Sequence, residues 1–355
     1  MRRTAIIVAS VAAAVIIAIV VVLGLRTPVP PTASPSAGGP SGIHTPTPPA
    51  TAEPADPADP ATTNAQLFAG GLYRDLENHA VQAQAELADE NKSADAALIN
   101  RISSQPTAVW LGDHQTVAQL KPLLATYVAN AKADGSTLTF VTYAIPNRDC
   151  GGLSGGGLSA REYLEWNRAI AAALTGSGAV VLVEPDSVAQ LSNDSCAGEE
   201  KKRIPVLKKA IEILANAGLT LYLDGGGSHW VQPAVMAKRL NAVGIERARG
   251  FFTNVSNYYR VDEERSYANR LSALVGDKFF VIDVSRNGNG WQGHWCNPKG
   301  AAIGQDPHVS EGTSKLDALL WVKHPGDSDG SCNGGPPAGQ WWQSYALDLV
   351  RNSDR

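Results

Sequence analysis

The sequence is short of positive charge, of closely paired cysteines and of repeats, and each shortage removes a class of function. Lys and Arg total 30 against 34 Asp and Glu, the net charge is −4, and no basic block follows Arg2 and Arg3. A nucleic-acid partner needs a basic face, so none is expected. The four cysteines, Cys150, Cys196, Cys296 and Cys332, form no Cys-x-x-Cys pair. That spacing removes the usual structural zinc site, and no metal or cofactor is expected. No segment recurs at a fixed period, which excludes a solenoid. Phenylalanine is scarce at 6 residues while tryptophan reaches 8, a balance that suits stacking on flat ligands as well as core packing.

What is present divides the chain into three parts. After Arg3, the run Thr4–Leu25 holds 22 residues without a charge. That is enough for a bilayer core of roughly 30 Å, whereas the apolar region of a cleaved signal is about 7–15 residues. Residues 1–26 are therefore expected to be a membrane anchor, with a cleaved signal peptide as the alternative. Arg2 and Arg3 place the N-terminus inside and the rest outside. Residues 27–63 contain eleven prolines and no Lys or Arg, which predicts an extended linker. An even number of cysteines in an exported chain reads as two disulfides.

Residues 64–355 alternate short apolar, β-branched runs with helical patterns. The expected strands are Thr107–Leu111, Thr137–Ala144, Ala179–Glu184, Leu219–Asp224, Gly250–Val255, Lys278–Val284 and Ala318–Lys323. The stretches between them, such as Val117–Ala133, Ala160–Leu174 and Glu199–Ala217, read as helices. Strand–helix alternation with nearly all-apolar strands predicts an α/β fold, a distorted seven-stranded parallel β/α barrel of the TIM type covered on both faces. A doubly wound open sheet is the alternative.

In such a barrel, chemistry gathers where strands run into the following loops. Those positions hold Tyr143, Arg148 and Asp149; Glu184 and Asp186; Asp224; Asn254; Asp283; and Lys323, Asp327 and Asp329. No Ser/His/Asp ordering competes with them. A single Asp at a strand end is usually a cap or turn former, and Asp283 fits that description. Several on one rim raise one another's pKa, which a fold keeps mainly where a protonated carboxyl donates a proton. Glycoside hydrolysis needs one protonated acid and one anionic group that activates water. Tryptophans fall beside the same rim: Trp110, Trp230, Trp291, Trp295 and Trp321, while Trp166, Trp341 and Trp342 lie in helical patterns and read as packing.

Six runs in order, Tyr143–Cys150 (YAIPNRDC), Val181–Asp186 (VLVEPD), Leu221–Asp224 (LYLD), Thr253–Tyr258 (TNVSNY), Val281–Gly290 (VIDVSRNGNG) and Leu320–Asp329 (LWVKHPGDSD), resemble the family-six glycoside hydrolases, which are inverting cellulases. The resemblance implies hydrolysis of β-1,4-glucan by a monomeric catalytic domain. It implies Asp186 as general acid and Asp149 as the carboxylate that raises its pKa and helps activate water, with Arg148 pairing to this cluster. It places Asp224 near the acid, Asp329 at the position proposed as base, and Tyr143 against the distorted sugar. Asn254, Lys323, Asp327, Trp110, Trp230, Trp295 and Trp321 become substrate-binding residues. The implied disulfides are Cys150–Cys196 and Cys296–Cys332.

Three positions depart from the family pattern. Gly227 stands where a His is common, with His229 nearby; Asp327 replaces a Glu; and Ser154 is the nearest candidate for a water-positioning serine. The short segment 297–331 between the last two cysteines implies an open cleft and endo action. An exo-acting cellobiohydrolase and a non-catalytic glucan-binding wall protein are the alternatives.

Overall fold

In the computed structural model, which describes residues 62–353, the seven apolar runs become β1 (Val109–Gly112), β2 (Thr139–Tyr143), β3 (Val180–Val183), β4 (Thr220–Asp224), β5 (Gly250–Thr253), β6 (Phe279–Asp283) and β8 (Leu316–Leu320). An unforeseen eighth strand, β7 (His308–Val309), precedes β8. The expected anchor, and the linker up to residue 61, lie outside the described residues. Among the described residues no helix is long and apolar enough to cross a membrane.

The sheet order is β1-β2-β3-β4-β5-β6-β8-β7, parallel throughout except for antiparallel β7. Alternation along each strand builds two cores. Val141, Leu182, Tyr222, Phe252, Val281 and Leu320 point into the barrel. Their neighbours Phe140, Val181, Leu221, Phe251, Ile282 and Leu319 point outward against the helices. The crossovers are α4 (Val117–Asp134), α5 (Ala160–Leu174), α6 (Glu200–Asn216), α7 (Pro233–Val243) and α8 (Val261–Leu274). Flanking them are α1 (Asn64–Leu67), α2 (His79–Asp89), α3 (Ser93–Ser103) and α9 (Gln343–Ser353). Caps fix several starts: Ser159 and Glu162 form a reciprocal capping box on α5, as Thr63 and Gln66 do on α1. Leu67 and Phe68 fill the barrel end opposite the strand C-termini, beside the Leu72–Thr137 bridge.

Closure is partial, and β7 is the reason. It occupies the edge of β8 at Ala318 and Leu319, where β1 would otherwise pair. Beyond it the two ends of the sheet meet. The Ala108 N–H donates to the Trp321 carbonyl at 3.0 Å, and the Trp110 indole N–H donates to the Val322 carbonyl at 2.8 Å. A two-residue strand carries no readable period, which is why the sequence shows only seven.

Candidate active site

The rim is built on strained backbone. Asp149, Glu184, Asp186 and Asn254 have φ of 56°, 52°, 70° and 66°, left-handed values that non-glycine residues adopt only when the surroundings impose them. Part of that imposition comes from three carboxyls that never reach solvent. Glu184 accepts the Ala144 and Ile145 amides at 3.0–3.1 Å. Asp224 accepts Val188, Ala189 and Gly226 N–H at 2.8–2.9 Å. Asp283 accepts the amides of Ser256, Ser285, Val322 and Lys323. Each ties its own strand to a neighbouring loop, so Asp283 is structural, as its strand-end position suggested.

Burial raises all three, Glu184 to about 7 against its ordinary 4.5. The folded state thus holds the Glu184 proton more tightly than the unfolded chain does. Its contribution to stability is complete below about pH 4.5 and is lost as pH rises through about 7. Asp327 and Asp329 are held below their ordinary 3.8, so their contribution disappears as pH falls through their folded values. The melting temperature is therefore expected to peak between these limits. Calorimetric scans from pH 3 to 9 check this; a melting temperature still rising above pH 8 would contradict it.

Asp186 faces the cleft above Asp224. Burial, then Asp224 and Asp149, push its carboxyl well above the ordinary range, and the Arg203 guanidinium opposes them. Asp149 is held by the Ser154 N–H and Oγ–H at 2.9 Å and by the Gln190 amide at 2.6 Å. The Tyr143 hydroxyl lies 2.9 Å from Ser154 Oγ. A continuous chain thus runs Tyr143–Ser154–Asp149–Gln190 along one wall.

Arg148 lines the same cleft and lies over the Tyr143 ring, but its ion pair is with Asp113 and not with Asp149 or Asp186. It pairs with Asp113 at 2.9 Å and donates to the Tyr143 and Ser154 carbonyls. The cation that acts on Asp186 is Arg203, buried in α6 and bonded to the Asn147 and Ser187 carbonyls. Arg203 sits inside a basic helix start, where nothing in the sequence separates it from its solvated neighbours.

Asp329 is saturated. Arg286 grips it with both terminal nitrogens at 2.9 Å, Tyr258 Oη and the Asn297 N–H donate at 3.1 and 3.0 Å, and Lys323 Nζ stands 3.5 Å away. Burial would raise its pKa, but Arg286 and Lys323 outweigh burial and lower it. Asp327 lies between His79 at 2.8 Å and His324 at 3.3 Å. The sequence singled out none of Arg286, Tyr258, His79 or His324 as a site residue.

Asp186, Asp149, Tyr143, Lys323, Asp327 and Asp329 line one cleft of about 1030 Å³. Trp110, Trp230 and Trp295 line it as expected, and so does Trp291. Trp295 and Trp291 are 50 % and 41 % exposed, so much of each indole is open to the cleft. Tyr259 lies parallel to Trp291 at 5.1 Å and stacks on His229 at 4.3 Å, continuing the aromatic surface.

Two expected binding residues do not reach the cleft. Trp321 is 1 % exposed and packs on the helix side, its indole N–H on the Gln305 carbonyl. Leu320 and Val322 take the inward positions, and strand alternation turns Trp321 out. Asn254 is fully buried and donates to the Asp283 and Tyr259 carbonyls, as a strut between loops. Asp224 likewise lies beneath the cleft floor and acts on it through Asp186.

The disulfides Cys150–Cys196 and Cys296–Cys332 brace the loops that carry Asp149 and Asp329. Such bonds persist in oxidising compartments, which places the domain outside the cytoplasm. The loops after β2 and β8 also touch: a Cβ added to Gly330 would come within 2.7 Å of Leu153 Cβ. Gly330→Ala is expected to push this contact apart and weaken activity more than stability, checked by kinetics beside melting curves.

Asp186, with its pKa raised, and Asp149, held by neutral donors, face a trench walled with indole, a pairing that suits breaking a glycosidic bond. The molecule is a glycoside hydrolase. Residues 67–353 match the glycosyl hydrolases family 6, and the chain belongs to that family. It is 45% identical to endoglucanase A of Cellulomonas fimi over 73% of this chain, a match that spans 57% of that enzyme's length. It is 34% identical to endoglucanase 1 of Streptomyces halstedii, over 85% of this chain and 93% of the other. Among solved structures, the endoglucanase Cel6 of Mycobacterium tuberculosis, bound to a methyl-cellobiosyl-thio-cellobioside, superposes with TM-score 0.76 at 35% identity. That superposition covers 85% of this chain and all of the other.

Proposed function

We propose that this chain is an endo-acting β-1,4-glucanase that hydrolyses cellulose-like chains with inversion. The observation that carries the reading is the contrast between Asp186, pushed toward its protonated form, and the neighbouring carboxyls that hydrogen-bond donors and cations hold. Asp186 donates its proton to the glycosidic oxygen as the C1–O bond breaks. A water attacks C1 from the opposite face of the ring, and its proton passes to Asp149, whose partner Ser154 can hold that water. The donors already on Asp329 leave it little capacity to accept a proton, so it anchors Lys323 and the loop. Asp224 supports the acid from below. Tyr143 presses on the distorted ring, and Trp110, Trp230, Trp295 and Trp291 stack on sugar faces.

Endo action is favoured by the short loop closed by Cys296–Cys332, whose ends are 36 residues apart. On soluble substituted cellulose the viscosity is expected to fall well before reducing ends accumulate. Steady cellobiose release at constant viscosity would instead mean exo action, and binding without cleavage would mean a wall-binding module. In the whole chain, residues 1–26 anchor the enzyme on the outer membrane face and residues 27–63 tether it. A mature N-terminus near Thr27, found by mass analysis, would replace the anchor with a cleaved signal.

A further inference from the structure

Asp327 is the carboxylate that the family resemblance assigns to sugar hydroxyls, yet the structure has committed both of its oxygens. Oδ1 lies 2.8 Å from His79 Nδ1 and Oδ2 lies 3.3 Å from His324 Nδ1, and the residue is 7% exposed. As Asp it is also one methylene shorter than the Glu usual at that position. His324 is fixed from its other side, with Nε2 2.7 Å from the Ala108 carbonyl. A carbonyl can only accept, so Nε2 carries a proton there. His79 differs. Its side chain is 48% exposed, it lines the cleft, and its Nε2 has no partner among the described residues.

We propose that His79 is a glucan-binding residue: with Asp327 clamped between His79 and His324, the Nε2 of His79, and not the Asp327 carboxylate, meets a sugar hydroxyl where β1 adjoins the loop after β8. The Asp327 hydrogen bond holds His79 in its charged form beyond the ordinary pH range, which makes Nε2 a donor, and charged donors make the stronger hydrogen bonds. His79 opens α2, with Asn78 as the cap, so the ring is held at a fixed helix end and not on a mobile loop. Lys323 lines the same cleft and supplies a second donor there. This wall comes from the segment before β1, which carries no strand-end signal.

The inference rests on the reading of the cleft as a glucan site, and the test separates the two. Calorimetry measures cellotetraose binding to the Asp186→Ala protein, whose slowed turnover lets binding be read before much substrate is cleaved. Adding His79→Ala is expected to raise Kd about tenfold, the worth of one hydrogen bond to a charged group. His79→Gln and His79→Asn then divide the two functions of the ring. The Gln amide nitrogen can reach the Nε2 position and should recover most of the affinity. The Asn nitrogen replaces Nδ1 on Asp327 and should leave binding as weak as in the Ala variant. Melting curves of each variant show that the fold is kept. An unchanged Kd in the Ala variant overturns the proposal. So does full recovery by Asn without recovery by Gln, which would make His79 only a support for Asp327. If Asp186→Ala itself binds no cellotetraose, the glucan-site reading fails and this proposal falls with it.

Discussion

Asp186→Ala is expected to lower turnover on cellulose by at least about 10²-fold, the lower range for loss of a general acid. Two features of the site set that expectation. The side chain reaches the cleft, and burial together with Asp224 and Asp149 raises its carboxyl well above the ordinary range. Glucan binding should survive, because Trp110, Trp230 and Trp295 are unaffected by the change. The loss should shrink on aryl cellobiosides whose leaving group departs without a proton. Steady-state rates on cellulose and on such a glycoside check this; equal impairment on both, with the fold intact, would move the acid elsewhere. Activity of the parent enzyme should decline on the alkaline side as Asp186 loses its proton. Arg203 limits how far that decline is displaced, since it favours the ionised form.

Arg286→Met is expected to destabilise the protein by roughly 3–5 kcal/mol, the cost of leaving half of a buried ion pair. Arg286 is fully buried, bidentate on Asp329, bonded to the Ser256 carbonyl and 4.6 Å above the Tyr258 ring. Without it Asp329 keeps only Lys323 at 3.5 Å and two neutral donors. Urea unfolding at pH 6 measures the loss. The additional change Asp329→Leu, which removes the orphaned charge, should recover part of it. If the double variant is no more stable than Arg286→Met, the pair is not what holds these loops.

The strands were legible because a parallel strand covered on both faces is a short apolar run between helical patterns, as Val180–Val183 is and as Phe279–Asp283 is up to its last residue. Strand parity was not legible. Trp110 and Trp321 look alike in sequence, each an indole in an apolar run near a rim position. Trp110 packs on the barrel side and Trp321 on the helix side, because their strands present opposite phases at those residues. A boundary error of one residue reverses such an assignment.

The rim carboxyls were legible from their places at strand ends, but their partners were not. Arg148 adjoins Asp149 in sequence and turns to Asp113, while Arg203 reaches the cluster from α6. His79 and Arg286 are separated from the carboxylates they hold by 248 and 43 positions. Contacts over such distances exist only after the barrel has formed. Strand ends report where charge accumulates; the tertiary fold decides which charges neutralise one another.

The single-displacement reaction led by Asp186 is tested most directly by proton NMR of products in the first minutes of cellopentaose hydrolysis, before mutarotation mixes the anomers. Inversion demands room for a water opposite the acid, with acid and base roughly 6.5–9.5 Å apart, and yields the α-anomer at each new reducing end. An initial excess of α-cellooligosaccharide is the expected result. An initial excess of the β-anomer would mean a covalent intermediate and retention, and would contradict the roles given to Asp186, Asp149 and the water between them.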